Sequence, residues 1–212
     1  MGAREHPRMA ERYQRRSALA HLGLEARASA VAGEGGVTLR EVPMRGLLVL
    51  RGDDGDKAFR NAVAAVLGIE PVVEPLTAAR RRDLSILWLG PNEWFVVTPD
   101  RRRARIERAL RDALAGQPAA VTDVSHGRAV FALSGPDAPA VLAKGCSLDF
   151  HPRVFGPGRC AQSRLAKCQA LIHQTTGAPE FEIYVPRSFA QYAWTWLEDA
   201  GQEFGLRIVP AE

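Results

Sequence analysis

Apolar residues recur along this chain with two alternating periods. Short, nearly continuous apolar runs occur at residues 46–51 (GLLVLR), 84–89 (LSILWL), 94–98 (WFVVT), 128–133 (RAVFAL) and 181–185 (FEIYV). Runs of this length read as strands. Between them the period changes to that of a helix. Phe59, Ala62, Val63, Val66 and Leu67 form one stripe, with Asp53 and Asp54 as candidate N-caps and Gly68 as the terminator. Ile106, Ala109, Leu110, Ala113 and Leu114 form a second stripe, capped by Asp100, and the opposite face carries Arg101, Arg102, Arg105 and Arg108. Pro136 suits the first turn of a short helix that Gly145 ends. Ser188 and Gln191 have capping-box spacing before a last helix with the stripe Phe189, Ala193, Trp196, Leu197 and Ala200. Residues 121–124 and 206–209 complete the strands, residues 160–174 read as a hairpin, and 151–158 as a polar, turn-rich connection.

The pattern repeats. Gly90-Pro-Asn-Glu-Trp-Phe-Val-Val-Thr-Pro99 matches Gly177-Ala-Pro-Glu-Phe-Glu-Ile-Tyr-Val-Pro186 at an offset of 87, and Leu110 and Ala113 match Leu197 and Ala200 at the same offset. Leu50-Arg-Gly-Asp53 matches Leu133-Ser-Gly-Pro136 at an offset of 83. A duplicated unit of strand, helix, strands, helix is expected, related by an internal pseudo-two-fold axis. The order resembles a split βαβ plan, in an α+β fold of mainly antiparallel sheets with helices packed on one face. Three parts are expected: a polar N-terminal arm over residues 1–36 with a flexible joint at 33–36, a first half over 37–120 and a second over 121–212.

Composition narrows the classes of function. With 212 residues, 46% of them hydrophobic, the chain can bury a core without disulfides. It is short for a flavoprotein oxidase carrying its own dinucleotide and substrate domains. The net charge of +4 is uneven: residues 1–40 hold seven Arg and four Glu, so the remainder is close to neutral. That balance argues against a nucleic-acid partner. Of the 28 basic residues 25 are arginine, the cation best suited to bidentate pairing with carboxylates at protein interfaces. Cys146, Cys160 and Cys168 form no C-x-x-C pair and read as free thiols. No apolar run reaches the ~18 residues of a membrane span, and residues 1–16 lack the apolar core of a signal peptide, so a cytoplasmic protein is expected.

Catalytic motifs are missing where an enzyme would show them. Gly33-x-Gly35 has Thr38 where the third glycine of a dinucleotide fingerprint belongs, and no P-loop or G-x-S-x-G elbow occurs. The histidines stand apart from one another, so no catalytic, cofactor-binding or metal-ligating residue is assigned. The candidate functional residues are those of an interface. Arg101, Arg105 and Arg108 share an outer helix face, His126 and Arg128 follow Asp123-Val-Ser125, and Trp194 lies off its helix's apolar stripe.

Two segments resemble the folate-dependent aminomethyltransferase superfamily: Val121-Thr-Asp-Val-Ser-His126, and Ser134-Gly-Pro-Asp-Ala138 opening a helix. Over residues 17 to 209 the chain resembles the gamma-subunit family of heterotetrameric sarcosine oxidase. The resemblance is carried by Leu87-Trp-Leu-Gly-Pro-Asn-Glu-Trp94, Asp123-Val-Ser-His-Gly-Arg128, Lys144-Gly-Cys146, Asp149-Phe-His-Pro152, Gly158-Arg-Cys-Ala-Gln162, Arg187-Ser-Phe-Ala190 and Ser17-Ala-Leu-Ala-His21. It implies a structural subunit working with alpha, beta and delta partners in the oxidative demethylation of sarcosine to glycine. Hydrogen peroxide and 5,10-methylenetetrahydrofolate are the implied products, with FAD, FMN, NAD and tetrahydrofolate held by the partner subunits. Active aminomethyltransferases place an acidic pair before one strand, where Lys167-Cys168-Gln169 stands here, ahead of Ala170-Leu-Ile-His173. The folate machinery is therefore expected to be degenerate. A stand-alone folate-dependent aminomethyltransferase-like protein is the alternative.

Overall fold

The computed structural model describes residues 15–28 and 35–211; residues 1–14 of the expected arm and the first part of its joint lie outside them. In chain order the elements are α1 (Leu24–Ala28), β1 (Val37–Glu41), β2 (Arg45–Arg51), α2 (Lys57–Leu67), β3 (Ala78–Arg81), β4 (Leu84–Gly90), β5 (Glu93–Pro99), α3 (Asp100–Ala113), β6 (Ala120–Asp123), β7 (Arg128–Ser134), α4 (Ala138–Ala143), β8 (Cys160–Leu165), β9 (Cys168–Thr176), β10 (Glu180–Pro186), α5 (Ala190–Gly201) and β11 (Leu206–Ile208). They build two sheets, with strand orders β3-β4-β5-β2-β6 and β11-β1-β7-β10-β9-β8. All pairs are antiparallel except β1 with β11.

The sheets stack face to face, and the helices cover their outer faces. In β5 the alternation is direct: Trp94 and Val96 point toward α2 and α3, whereas Phe95 and Val97 point toward the second sheet. In β10 Phe181, Ile183 and Val185 face the α4–α5 core, while Tyr184 faces the first sheet. Burial on both faces is why these strands read as unbroken apolar runs rather than as alternating ones. On the helix side of the first sheet Phe59 stacks on Trp94 at 5.4 Å, and the Trp94 indole donates to the Val72 carbonyl at 2.7 Å. The large ring is thereby buried with its one donor satisfied.

The internal repeat is visible in hydrogen-bond register. Strand β2 pairs with β5 from Arg45↔Pro99 to Arg51↔Glu93, and β7 pairs with β10 from Arg128↔Pro186 to Ser134↔Glu180. Adding 83 to the first strand and 87 to the second converts one register into the other. Each half carries three strands between its helices, one more than the minimal βαβ plan.

Sheet membership does not follow the boundary after residue 120. Strand β1 lies early in the chain but pairs with β7 and β11 in the second sheet, while β6 returns to pair with β2 in the first. The entry of β1 depends on a close backbone approach. Gly135 has φ +116°, and a Cβ there would meet the Gly36 carbonyl at 2.4 Å. The described part of the arm is anchored to both halves. Arg15 pairs with Asp100 of α3, Leu19 is buried in the second core, and Arg27 pairs with Glu198 of α5.

Local signals were met unevenly. Gly68 ends α2 in the left-handed conformation and closes onto the Ala64 carbonyl at 2.8 Å. Asp56, however, caps that helix through the Ala58 amide, while Asp53 closes a turn onto the Gly55 amide. Asp100 is the first helical residue of α3 rather than its cap. The Ser188–Gln191 capping box does not form, because residues 187–189 make a 3₁₀ turn and the Gln191 amide oxygen meets His21 Nε2 at 3.1 Å. Helix α4 begins at Ala138, two residues after Pro136.

Candidate functional site: the inter-sheet charge network and the arginine face

Polar groups trapped between the two sheets form the chain's main electrostatic feature. Arg45 on β2 donates to Glu182 on β10 at 2.8 Å, joining the sheets through a charge-assisted hydrogen bond. The Tyr184 hydroxyl donates to the other oxygen of the same carboxylate. Burial, with the adjacent Glu182 charge, holds the Tyr184 phenol well above its ordinary range, so it serves as a permanent donor. His173 pairs in register with Glu182 across β9 and β10, and its Nδ1 is buried without a partner among the described residues. Burial pushes its pKa down to about 4, so the ring is neutral near neutral pH. Truncating Arg45 leaves the Glu182 carboxylate short of one donor in a half-buried place. Arg45→Ala is expected to lose about 1–3 kcal/mol in urea denaturation; a change below about 0.5 kcal/mol would show that the bridge adds nothing.

The Asp123-Val-Ser-His-Gly-Arg128 segment carries the chain from β6 of the first sheet to β7 of the second through a short 3₁₀ turn. Ser125 explains why that turn is fixed. Its hydroxyl donates to Asp123 at 2.6 Å and accepts from the Leu47 amide at 2.9 Å, and its own amide reaches Asp123 at 2.9 Å. Burial alone would raise the Asp123 carboxyl, but the Ser125 hydrogen bonds and the neighbouring Arg103 and His126 charges hold it below the usual value. Glu41 goes the other way: burial raises it against the pull of Ser17, the Leu19 amide, Arg187 and His21. Glu41, Arg45, Arg128 and Arg187 line a cleft of about 270 Å³ at this end of the inter-sheet layer. A second cleft, of about 350 Å³, lies between Arg128, Phe95, Gln162, Gln169 and Tyr184.

The expected interface residues separate into three groups. Arg101, Arg105 and Arg108 are exposed on the outer face of α3, with Arg101 3.9 Å from Asp83. His126 is exposed in the 3₁₀ turn, while Arg128 is half-buried at the start of β7 and borders both clefts. Trp194 must be corrected: it is 0% exposed in the second core, edge-on to Phe131 at 5.6 Å. Because Phe189 belongs to the 3₁₀ turn, the buried stripe of α5 starts one residue later and runs through Ala190, Ala193, Trp194, Leu197, Ala200 and Gly201. The exposed aromatics here are Phe189 and Tyr192, at 41% and 37%.

Sequence reading missed the Arg45–Glu182–Tyr184 network and His173. The available signal was a carboxylate and an imidazole interrupting strands that are otherwise apolar on both faces. The three cysteines are free and buried, and burial pushes the Cys160 thiol up to about 12 while it donates to the Thr77 carbonyl. Burial raises Cys168 as well, which argues against a nucleophilic role for these two thiols. Among the described residues no group of three or more His, Cys, Asp or Glu is placed to hold a metal ion, and no helix is long and apolar enough to cross a membrane. The β8–β9 turn presents Lys167, the buried Cys168 and the exposed Gln169. None of the three is a carboxylate.

The duplicated fold is shared with aminomethyltransferases. The glycine cleavage aminomethyltransferase T of Bartonella henselae superposes with a TM-score of 0.64 at 16% identity, over 89% of this chain and 51% of that one. Residues 51–203 match the sarcosine oxidase, gamma subunit family, and the chain belongs to that family. The sarcosine oxidase subunit gamma of Corynebacterium sp. (strain U-96) is 38% identical over 92% of this chain and 94% of its own length. A chain of the heterotetrameric sarcosine oxidase from Corynebacterium sp. U-96, solved with pyrrole 2-carboxylate, superposes with a TM-score of 0.81 at 36% identity, over 90% of this chain and 96% of that one.

Proposed function

We propose that this chain is the gamma subunit of a cytoplasmic heterotetrameric sarcosine oxidase and a structural member of that assembly, bound to alpha, beta and delta partners. The assembly oxidatively demethylates sarcosine to glycine, releasing hydrogen peroxide and forming 5,10-methylenetetrahydrofolate. FAD, FMN, NAD and tetrahydrofolate belong to the partner subunits in this reading. The observation that carries it is the near end-to-end match with a chain of a solved heterotetramer, with 96% of that chain covered. The surface supports it. Exposed Arg101, Arg105 and Arg108 on α3, with His126, suit acidic side chains of a partner, and Phe189 and Tyr192 provide an exposed aromatic pair 6.4 Å apart.

A stable assembly needs more than about 1,200 Å² of total contact. The tagged chain drawn from its native host is therefore expected to bring down larger subunits with flavin absorbance and sarcosine-dependent oxygen uptake. Recovery of the chain alone, without flavin, would sink the proposal.

A further inference from the structure

The internal symmetry sets two arginines side by side. Arg45 and Arg128 are equivalent under the 83-residue offset, each opening the strand that follows its connection. Arg45 reaches across the inter-sheet layer to Glu182. Under the 87-residue offset the counterpart of Glu182 is residue 95, which here is Phe95. Arg128 and Phe95 line the same 350 Å³ cleft, as the symmetry requires. One of the two equivalent sites therefore sets a carboxylate opposite its arginine and the other a phenyl ring.

The consequence is electrostatic. Among the described residues no hydrogen bond or ion pair reaches the Arg128 guanidinium, and burial alone depresses its pKa. Its symmetry mate Arg45 has an acidic partner in Glu182, as Arg103 has in Asp100 and Asp123. A partly desolvated guanidinium without a counter-charge is a costly arrangement unless an anion completes it. The cleft is also of small-molecule size. Leu89, Phe95 and Leu171 give it an apolar wall, and Gln162 and Gln169 stand beside it. Gln162 already donates to the Leu89 carbonyl at 2.8 Å, leaving its own amide oxygen as an acceptor.

We infer that the cleft beside Arg128 is a binding site for a small organic carboxylate, whose carboxyl group takes the place that Glu182 fills in the equivalent site and whose apolar body lies against Phe95. The planar fork of arginine favours a carboxylate held by two parallel hydrogen bonds. This site is independent of the subunit assignment: it is tested by ligand binding, and that assignment by copurification.

The test is calorimetric titration of benzoate into the full chain, in the complex isolated from its host and alone. Benzamide serves as the uncharged isostere. Saturable binding of benzoate is expected, with Arg128→Gln weakening it about tenfold or more and benzamide binding correspondingly weaker. Phe95→Glu restores the internal ion pair and is expected to abolish binding. Arg128→Gln alone suffices should the Phe95 variant not fold, with circular dichroism reporting the fold of both. Equal binding of benzoate and benzamide, an unchanged affinity in Arg128→Gln, or no saturable binding in either preparation overturns the inference.

Discussion

Replacing Trp194 with alanine is expected to cost about 3–5 kcal/mol, among the larger losses for a single core substitution. Its ring is fully buried between α5 and the second sheet and packs edge-on against Phe131. Truncation would remove the contacts of a nine-membered ring system and leave a cavity that the sheet, pinned by its hydrogen-bond ladder, cannot close. Trp194→Phe is a sharper companion. The indole Nε1 is buried without a hydrogen-bond partner among the described residues, so phenylalanine removes an unsatisfied donor while keeping much of the ring. That variant is expected to stay within about 1 kcal/mol of the parent. Urea denaturation of both variants checks the pair. A loss below about 0.5 kcal/mol for the alanine variant would restore the reading of Trp194 as an external contact residue.

Acid is expected to destabilise the fold through His173 before the losses from Asp100 and Asp123 set in; the raised Glu41 carboxyl acts in the opposite sense, because the folded chain binds its proton more readily. The ring titrates at about 4 in the folded chain, against 6.5 ordinarily, because burial disfavours its charged form. Glu182 on β10 pulls the value up and Arg80 on β3 pushes it down, both less strongly than burial acts. The sign follows from proton uptake. Above pH 6.5 the histidine is neutral folded and unfolded, and it contributes no pH dependence. Between 6.5 and 4 the unfolded chain binds a proton that the native state refuses, so stability falls as pH falls. A shift of this size corresponds to about 3 kcal/mol when fully developed. Asp100 and Asp123 are held below their ordinary values, so their losses come at more acidic pH. His173→Leu should flatten the stability profile between pH 7 and 4.5 by about 2–3 kcal/mol. Parallel profiles for variant and parent would show that His173 is not the responsive group.

These two residues also show how far the chain could be read unaided. The strands β2, β4, β5, β7 and β10 announced themselves because burial on both faces demands continuous apolar residues. The helices α2 and α3 did so because one face must be apolar. β1 and β3 did not. In Val37–Glu41 only alternate positions are fully buried, and in Ala78–Arg81 none is, so neither carries a strong apolar signal. Trp194 was misplaced because the stripe was started from Phe189, which lies in a 3₁₀ turn, instead of from Ala190. Ala193, Leu197 and Ala200 kept their places on the buried face, and Trp194 joins them four residues after Ala190 and three before Leu197. His173 was visible only as a polar residue in an apolar run, with no indication of its neighbours.

The α+β class, the duplication and the order of most strands and helices followed from the sequence, because periodicity and spacing are local properties that repeat along a chain; the family resemblance was carried by the motifs themselves. Tertiary structure decided which partners each strand took. It carried β1 into the second sheet and β6 into the first, brought Arg45 to Glu182, and left Arg128 opposite Phe95. Those outcomes depend on pairing between segments far apart in sequence and on what remains once two sheets close face to face. An offset of 83 or 87 residues can show that two segments are alike. It does not show which of them will meet.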